Sequence, residues 1–260
     1  MSDEQKSKVQ AQFGPAAAGY ATSNVHAKGE SLEVLAELIK PQPDWQALDV
    51  ATGAGHTALL FAPKVAHMIA TDLTEAMLAK TAELAAQRGL TNLETQYADA
   101  ESLPFDDASF DLVTCRIAFH HFPNPRDAVS EFARVLKPGG LLGFTDNITV
   151  PEKQAAGYYN AYEKLRDPSH NWVYPLVRLE AMFEQASLTV QATRQLSKEM
   201  EFHQWADRMR VSPESKDKLL EMMRHLPEAL QPLFAPRWAD GTMYFTLHEG
   251  VIIAQYLPQD

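Results

Sequence analysis

Apolar runs of strand length alternate with amphipathic stretches of helix length through the middle of the chain. QALDVAT and AHMIATD are apolar runs, and the segment GAGHTALLFAPKV between them is long enough for a helix. The glycines that follow the first run predict a turn between strand and helix. Together the three segments predict a βαβ unit from Trp45 to Asp72.

The same alternation continues further along the chain. TEAMLAKTAELAAQRG predicts a helix ending at Gly89, and LETQYA and FDLVTCRIAF predict two more strands. A helix over PRDAVSEFARVL then stops at the KPGG turn, and LLGFTDN predicts the next strand. Strands that alternate with helices predict a doubly wound α/β fold, in which helices cover both faces of a mostly parallel sheet.

The pattern differs on either side of this block. Residues 1–44 carry no strand signal and predict a helical lid, while residues 151–240 are rich in helix formers, aromatics and methionines and predict a helical cap. ASLTVQATRQL and TMYFTLHEGVIIAQYL predict two late strands, which bring the sheet to seven strands. The expected organisation is therefore a lid, a core over 45–150, a cap containing one late strand, and a closing strand over 241–260.

Composition narrows the range of partners. The 260 residues, 45% of them hydrophobic, can bury one sizeable core, and the formal net charge of -11 argues against a nucleic-acid partner. No apolar stretch has the length of a membrane span and the polar start lacks the apolar centre of a signal peptide, so a cytoplasmic protein is expected. The single cysteine, Cys115, excludes an internal disulfide and is expected to be a buried small hydrophobe, and no zinc-binding pattern is present.

A glycine turn and two acidic residues indicate a bound nucleotide. Gly53 and Gly55 lie between a strand and a helix, where the missing Cβ atoms let a ligand approach the backbone. The same turn satisfies the dinucleotide fingerprint, and Asp72 at the end of the next strand suits the ribose of either cofactor class. Asp99 ends the third strand and is suited to accept a hydrogen bond from an adenine amino group, for which a dehydrogenase has less obvious need.

Four ordered blocks resemble one enzyme family. LDVATGAG, ATDLTEAML, YADAESLPFDDASFDLVTCRIAFHHF and RVLKPGGLLGFTD are similar to the class I methyltransferases, and within them to the ubiquinone and menaquinone biosynthesis C-methyltransferases. The blocks run from Leu48 to Asp146, and LPFDDASFD is the most diagnostic phrase. The resemblance implies a Rossmann-like fold and S-adenosylmethionine as the cofactor.

The resemblance also implies a set of cofactor-binding positions at the glycine turn, at the strand ends and in the lid. These are Ala51, Gly53, Gly55, Asp72, Leu73, Asp99, Ala100, Arg116 and Tyr20. The glycines would face the methionine portion and the ribose, Asp72 would hold the ribose hydroxyls, and Asp99 with Ala100 would read the adenine, against which Leu73 would pack. Family members usually carry glycine or cysteine in place of Ala51 and Thr52.

Arg116 replaces a small residue of the family, so the resemblance gives a role to its main chain only, at the sulfonium end of the cofactor. The tandem histidines after the fourth strand lie at the sheet edge where α/β folds bind ligands. His121 is the predicted general base, and a structural role is expected more for His120. In the lid, Tyr20 and His26 are candidates for covering the cofactor or lining the pocket.

These observations predict in-line methyl transfer to a small molecule, without a covalent enzyme intermediate. Aromatic residues and methionines beyond position 150 favour an apolar or aromatic acceptor; they are Tyr158, Tyr159, Tyr162, Trp172, Tyr174, Trp205, Met209 and Trp238. Two alternatives stay open at this point. One is a nicotinamide-dependent oxidoreductase, which the glycine fingerprint supports, and the other is a protein that binds S-adenosylmethionine without transferring its methyl group.

Overall fold

Eight strands form one sheet in the computed structural model, which describes residues 2–16 and 29–258. The strands are β1 Gln46–Val50, β2 His67–Asp72, β3 Leu93–Tyr97, β4 Phe110–Arg116, β5 Leu136–Asn147, β6 Leu188–Glu201, β7 Arg237–Ala239 and β8 Thr242–Tyr256. The helices are α1 Ser2–Phe13, α2 Glu30–Ile39, α3 His56–Phe61, α4 Glu75–Gln87, α5 Pro125–Val135, α6 Lys153–Arg166, α7 Leu176–Gln185, α8 Phe202–Asp207, α9 Pro213–Arg224 and α10 Gln231–Phe234. Tyr20 and His26 lie outside the described residues.

The strand order is β3-β2-β1-β4-β5-β8-β6, and β7 pairs with β8. Strands β1 to β5 are parallel, whereas β8 runs antiparallel to both β5 and β6. The predicted doubly wound, mostly parallel α/β fold is confirmed, and its seven strands are those predicted. The eighth, β7, is a three-residue strand joined to β8 by a turn in which Asp240 and Gly241 both have positive φ, as a two-residue hairpin of this type requires.

The order of the strands places a crevice at one edge of the sheet. The chain moves outward from β1 to β3 and then returns to place β4 on the other side of β1. Parallel sheets bind ligands at such a reversal, beyond the carboxyl ends of the strands. The loops after β1, β2 and β4 therefore define the position of the site.

Two apolar layers hold the sheet in place. On one face, Phe132 of α5 and Phe183 of α7 pack into a cluster with Val113 and Phe144 of the central strands. The opposite face contacts α2 and α3 through a second cluster that contains Leu35 and Phe61. Central strands buried on both faces read as continuous apolar runs, which is why the sequence pattern identified them.

The cap has a hydrophobic core of its own. Helices α6 and α8 to α10 pack against the outer ends of β6 and β8, around Tyr159, Tyr162 and Trp205. The Tyr162 and Trp205 rings are stacked with their centroids 5.3 Å apart, and Phe234 contacts Tyr162 edge-on. Among the described residues, no helix has both the length and the apolar composition needed to cross a membrane.

Candidate active site

One cavity of about 210 Å³ lies between the strand ends, α1 and the cap. Eight of the predicted site residues line it: Ala51, Gly53, Asp72, Leu73, Asp99, Ala100, Arg116 and His121. Gly55 does not line the cavity, and Tyr20 lies outside the part of the chain that the structure describes. The residues contributed by the strand ends, Ala51, Gly53, Asp72, Asp99 and Arg116, are called the sheet wall below.

The two glycines of the turn serve different geometric needs. Gly53 has a φ of +56°, and among the described residues no atom beyond its chain neighbours lies within 4 Å of the position that a Cβ would occupy. Gly55 has a φ of +82°, and a Cβ there would lie 2.5 Å from Cγ2 of Thr81 on α4. Gly53 therefore leaves open space that a ligand can fill, whereas Gly55 lets α4 pack closely against the turn.

Strained backbone flanks the crevice at the ends of β1 and β4. Ala51 has a φ of 54° and the β-branched Ile117 a φ of 53°, a region that costs a side chain about 1–3 kcal/mol. The Ile117 amide donates to the carbonyl of Thr145 at 2.8 Å, which helps to hold this conformation. Both residues line the cavity, so the strain is located where the backbone meets the ligand space.

Asp72 is held rigidly at the end of β2. Its Oδ2 accepts a hydrogen bond from the Gly53 amide at 2.9 Å, and its Oδ1 accepts one from the Thr74 amide at 2.8 Å. Burial raises the pKa of this carboxyl, and the two amide hydrogen bonds oppose that effect. Each carboxylate oxygen has a further lone pair, so Asp72 can accept hydrogen bonds from a diol without losing its support.

Asp99 is joined to the N-terminal helix by an ion pair. Lys6 Nζ of α1 lies 2.6 Å from Asp99 Oδ2 and 2.7 Å from Glu101 Oε2. Burial alone would lower the pKa of Lys6, but its hydrogen bonds to the two carboxylates outweigh burial and raise it. Lys6 was not predicted from the sequence, because α1 has only the pattern of a polar helix and lies far along the chain from the glycine turn and Asp99.

A second missed residue, Asp49, connects the turn to the centre of the sheet. Its carboxylate accepts hydrogen bonds from the hydroxyls of Thr52 at 2.6 Å and Thr114 at 2.7 Å, and from the Ala58 amide at 3.2 Å. Burial raises the pKa of Asp49 to about 6, although the hydrogen bonds favour its charged form. A carboxylate inside the apolar run QALDVAT was the sequence signal for this role.

His120 is paired with Asp146 at the ends of β4 and β5. Its Nδ1 lies 2.6 Å from Asp146 Oδ1, and its backbone amide donates to Oδ2 at 2.8 Å. Burial by itself would lower the pKa of His120, but the charge of Asp146 and the hydrogen bond outweigh it and raise the pKa above 6.5. Because a carboxylate accepts hydrogen bonds, Nδ1 carries the proton and Nε2 is the basic nitrogen.

His121 occupies a more apolar environment than His120. Its Nδ1 donates to the Ser169 carbonyl at 2.9 Å, and Phe13 of α1 packs edge-on against its ring at 5.1 Å between centroids. Burial, reinforced by the charge of His120, lowers the pKa of His121 to about 4. Both histidines line the cavity, but His120 has the carboxylate partner that stabilises an imidazolium.

The opposite side of the cavity is formed by the β6–β8 ribbon and α8. We call it the cap wall, and its members are Lys198, Met200, Trp205, Arg208, Met209, Leu247 and Glu249. Of the aromatics and methionines singled out in the sequence beyond position 150, only Trp205 and Met209 line the cavity. Tyr159 and Tyr162 instead fill the core of the cap, and the wall that results is more polar than the sequence predicted.

Comparison with known proteins identifies the family. A profile described as a methyltransferase domain matches residues 48–144. The chain is 33% identical to the uncharacterized methyltransferase YcgJ of Bacillus subtilis (strain 168) over 222 residues, covering 85% of this chain and 88% of that protein. A shorter match, 36% identical over 133 residues, covers 50% of this chain and 53% of the demethylmenaquinone methyltransferase of Clavibacter sepedonicus.

Solved structures agree with the sequence matches. A Bacillus halodurans C-125 protein, solved as a candidate methyltransferase, superposes with a TM-score of 0.84 at 35% identity and covers 88% of this chain and 100% of its own. The crystal structure of YcgJ gives a TM-score of 0.84 at 30% identity, covering 88% of this chain and 99% of its own. The protein therefore belongs to the class I methyltransferases, enzymes that use S-adenosylmethionine as the methyl donor.

Proposed function

We propose that this methyltransferase acts on a small molecule with an apolar or aromatic body, which binds between the cofactor and the cap. The observation that carries the proposal is a single cavity with two dissimilar walls. The sheet wall has open space at Gly53 and two anchored carboxylates, and the cap wall has apolar side chains beside charged ones. One cavity of this kind places two ligands in contact, as in-line transfer requires.

The sheet wall fits the cofactor. Under the proposal, Asp72 binds the ribose hydroxyls, and Asp99 and Ala100 contact the adenine. The open space at Gly53 receives the part of the cofactor that passes over the glycine turn. When bound, S-adenosylmethionine supplies an activated methyl group, which can be transferred directly to the acceptor without a covalent enzyme intermediate. The residues of the sheet wall orient the donor and exclude water from it.

The cap wall supports the acceptor assignment. Met200, Trp205 and Leu247 are close together on the cavity side of the cap, and Met200 and Trp205 are buried. An apolar or aromatic ring can pack against these side chains, while α1 covers the cavity through hydrogen bonds from Gln5 to the Ser169 carbonyl and from Gln10 to the Leu73 carbonyl. Exclusion of water at this point would keep the nucleophile poorly solvated and reactive.

We place the general base at His120 in preference to His121. The Asp146 carboxylate fixes the His120 tautomer and stabilises the protonated ring, so Nε2 can take a proton from a hydroxyl or an acidic carbon of the acceptor. His121 Nδ1 lies 2.9 Å from the carbonyl oxygen of Ser169 and 3.4 Å from its hydroxyl, with no carboxylate in the place that Asp146 takes beside His120, and its pKa is lowered, which makes it the weaker base. The role of Asp146 is to position His120, not to contact the acceptor.

Calorimetric titration with S-adenosylmethionine, S-adenosylhomocysteine and NAD tests the cofactor half of the proposal. The two adenosyl ligands are expected to bind with micromolar affinity and NAD is not, and Asp72→Ala should abolish binding. Asp217→Ala, at an exposed position of α9, is the matched control and should bind normally. Equal binding by the Asp72→Ala variant would contradict the assigned role of this carboxylate.

A further inference from the structure

Three imidazole rings border the same part of the cavity. His120 and His121 follow β4, and His170 lies in the loop between α6 and α7. The ring centres of His120 and His121 are 4.1 Å apart, and those of His120 and His170 are 5.6 Å apart. All three residues line the cavity, so His170 is a buried histidine beside the proposed general base to which the proposed function gives no role.

Hydrogen bonds hold the loop that carries His170 against the tandem histidines. The backbone amides of Asn171 and Trp172 both donate to the His120 carbonyl, at 2.8 and 2.9 Å. The side chain of Asn171 also donates, through Nδ2, to the Phe122 carbonyl at 2.6 Å. These contacts fix the position of His170 relative to His120.

Asn160 of α6 fixes the tautomer of His170. The Asn160 Nδ2 donates to the carbonyls of Ala156 and Val173 at 2.8 and 3.1 Å, and its Oδ1 accepts from the Val173 amide at 2.6 Å. These partners assign the two ends of the Asn160 amide, so the atom 2.8 Å from His170 Nε2 is the oxygen. Because an oxygen of this kind only accepts, His170 Nε2 carries the hydrogen and Nδ1 keeps its lone pair.

The Nδ1 lone pair of His170 opens into the cavity. Within the described residues Nδ1 forms no hydrogen bond, and it does not belong to the partnerless side-chain atoms that are inaccessible to solvent. His170 is almost completely buried and the cavity is the space that it lines, so Nδ1 is reached from the cavity. A hydrogen bond from a ligand would satisfy this nitrogen when the ligand excludes water.

His170 is suited to be a hydrogen-bond acceptor and not a second base. Burial lowers its pKa to about 2, and the positive charges of the two neighbouring histidines, Lys164 and Arg166 act in the same direction. The ring is therefore neutral at any pH near neutrality, and Nδ1 can accept a hydrogen bond without taking up a proton. His120 differs, because Asp146 stabilises its protonated form.

We propose that His170 Nδ1 accepts a hydrogen bond from a second O–H or N–H group of the methyl acceptor, next to the atom that His120 deprotonates. The inference rests on the proposed function and narrows its substrate class to molecules with two neighbouring donors, such as a catechol or a 2-aminophenol. The two neighbouring rings can each receive one of these hydrogens. The second hydrogen bond orients the nucleophile, and orientation supplies much of the rate of an in-line transfer.

Calorimetry with three aromatic probes tests the preference for a second donor. Catechol carries a second hydroxyl, 2-aminophenol carries an amine in its place, and 2-fluorophenol carries a fluorine, which cannot donate. Each probe is titrated into the full chain saturated with S-adenosylhomocysteine, in buffer with a chelator so that no stray metal ion contributes. We expect catechol, 2-aminophenol or both to bind at least roughly fivefold more tightly than 2-fluorophenol, which leaves Nδ1 without a donor. The tighter of the two identifies the second donor as a hydroxyl or an amine.

Two substitutions of His170 separate the roles of its two nitrogens. His170→Gln can keep a donor for Asn160 Oδ1 but has no atom at the position of Nδ1, so the preference should disappear. His170→Asn can place its amide oxygen near that position, so the preference should remain. His225→Gln, at an exposed position directly after α9, is the matched control and should keep the preference. Near-ultraviolet circular dichroism checks that each variant is folded, and each should bind S-adenosylhomocysteine as the wild-type protein does.

Three results would overturn this role of His170. The first is equal affinity for the three probes, or no binding of catechol and 2-aminophenol, in the wild-type protein. The second is a preference that survives in His170→Gln. The third is an equal loss of the preference in folded His170→Gln and His170→Asn, which would show that the ring is needed and its Nδ1 is not recognised. If the wild-type protein does not bind S-adenosylhomocysteine at all, the proposed function itself fails.

Discussion

The interaction between His120 and Asp146 gives a prediction for the pH dependence of turnover. Because the pKa of His120 is raised and the proposed base must be deprotonated to act, kcat/KM should increase as the pH rises through a value above 6.5. Asp146→Asn removes the charge that raises this pKa, and the increase should move to lower pH, with kcat reduced by roughly 10²–10⁴-fold. The profile is measured with the first acceptor that an activity screen identifies.

His121 supplies the comparison for that experiment. His120→Asn should abolish the pH-dependent increase, whereas His121→Asn should retain it, because the pKa of His121 is already lowered to about 4. If the increase of kcat/KM with pH disappears in the His121 variant and remains in the His120 variant, His121 is the general base.

The two glycines of the turn should respond differently to alanine. Gly55→Ala combines a left-handed backbone with an overlap against Thr81 and should lower the free energy of unfolding by about 2–4 kcal/mol. Gly53→Ala carries only the backbone penalty, about 1–2 kcal/mol, but its methyl group enters the open space in front of the turn. Urea denaturation should therefore show the larger loss of stability for Gly55→Ala, and calorimetry should show the larger loss of cofactor affinity for Gly53→Ala. Equal losses of stability would contradict this distinction.

At the scale of elements, α1 is one of the two α-helices that the structure describes within the predicted lid, and its side chains line the cavity. Lys6 contacts Asp99 on the cofactor side, and Gln5 contacts the Ser169 carbonyl on the cap side. Lys6→Met should lower the affinity for S-adenosylmethionine by roughly tenfold, because the lysine orients Asp99 and holds α1 in place. Lys8→Met, which removes an exposed ion pair with Glu4, is the control. Unchanged binding by the Lys6 variant would contradict this role, and tighter binding would show that the ion pair competes with the cofactor for Asp99.

Elements with strong periodicity could be predicted from the sequence, and those formed by distant contacts could not. Strands β1 and β4 read clearly because they are buried on both faces. Strand β7 has three residues, too few for a periodic pattern, although its Asp240–Gly241 turn was a usable signal.

The candidate site also has residues that the sequence could predict and residues that it could not. Asp72 and Asp99 follow motif strands and could be located, whereas the preference for His120 depends on Asp146, which comes 26 residues later in the chain. The residues of the cap wall could not be predicted from the sequence, because composition alone does not show which aromatic side chains face a cavity. Tyr159 and Tyr162 fill the cap core, and Lys198 and Arg208 came into the wall from positions without a motif.

At the scale of the whole molecule, the sheet with its two apolar layers and the cap with a core of its own meet at one cavity. The sheet core positions the cofactor residues, and the cap core, with Trp205 at its edge, positions the proposed acceptor residues. Each wall is thus built on regular secondary structure, and under the proposed function the reacting groups meet where the two walls face each other.

Transfer of a radiolabelled methyl group tests this account most directly. The wild-type protein is incubated with methyl-labelled S-adenosylmethionine and a library of small apolar and aromatic acceptors. We expect label to enter one or more of these acceptors, with stoichiometric formation of S-adenosylhomocysteine, and none to be transferred by Asp72→Ala. Tight binding of S-adenosylmethionine without label in any acceptor would contradict the account and indicate a protein that binds the cofactor without transferring its methyl group.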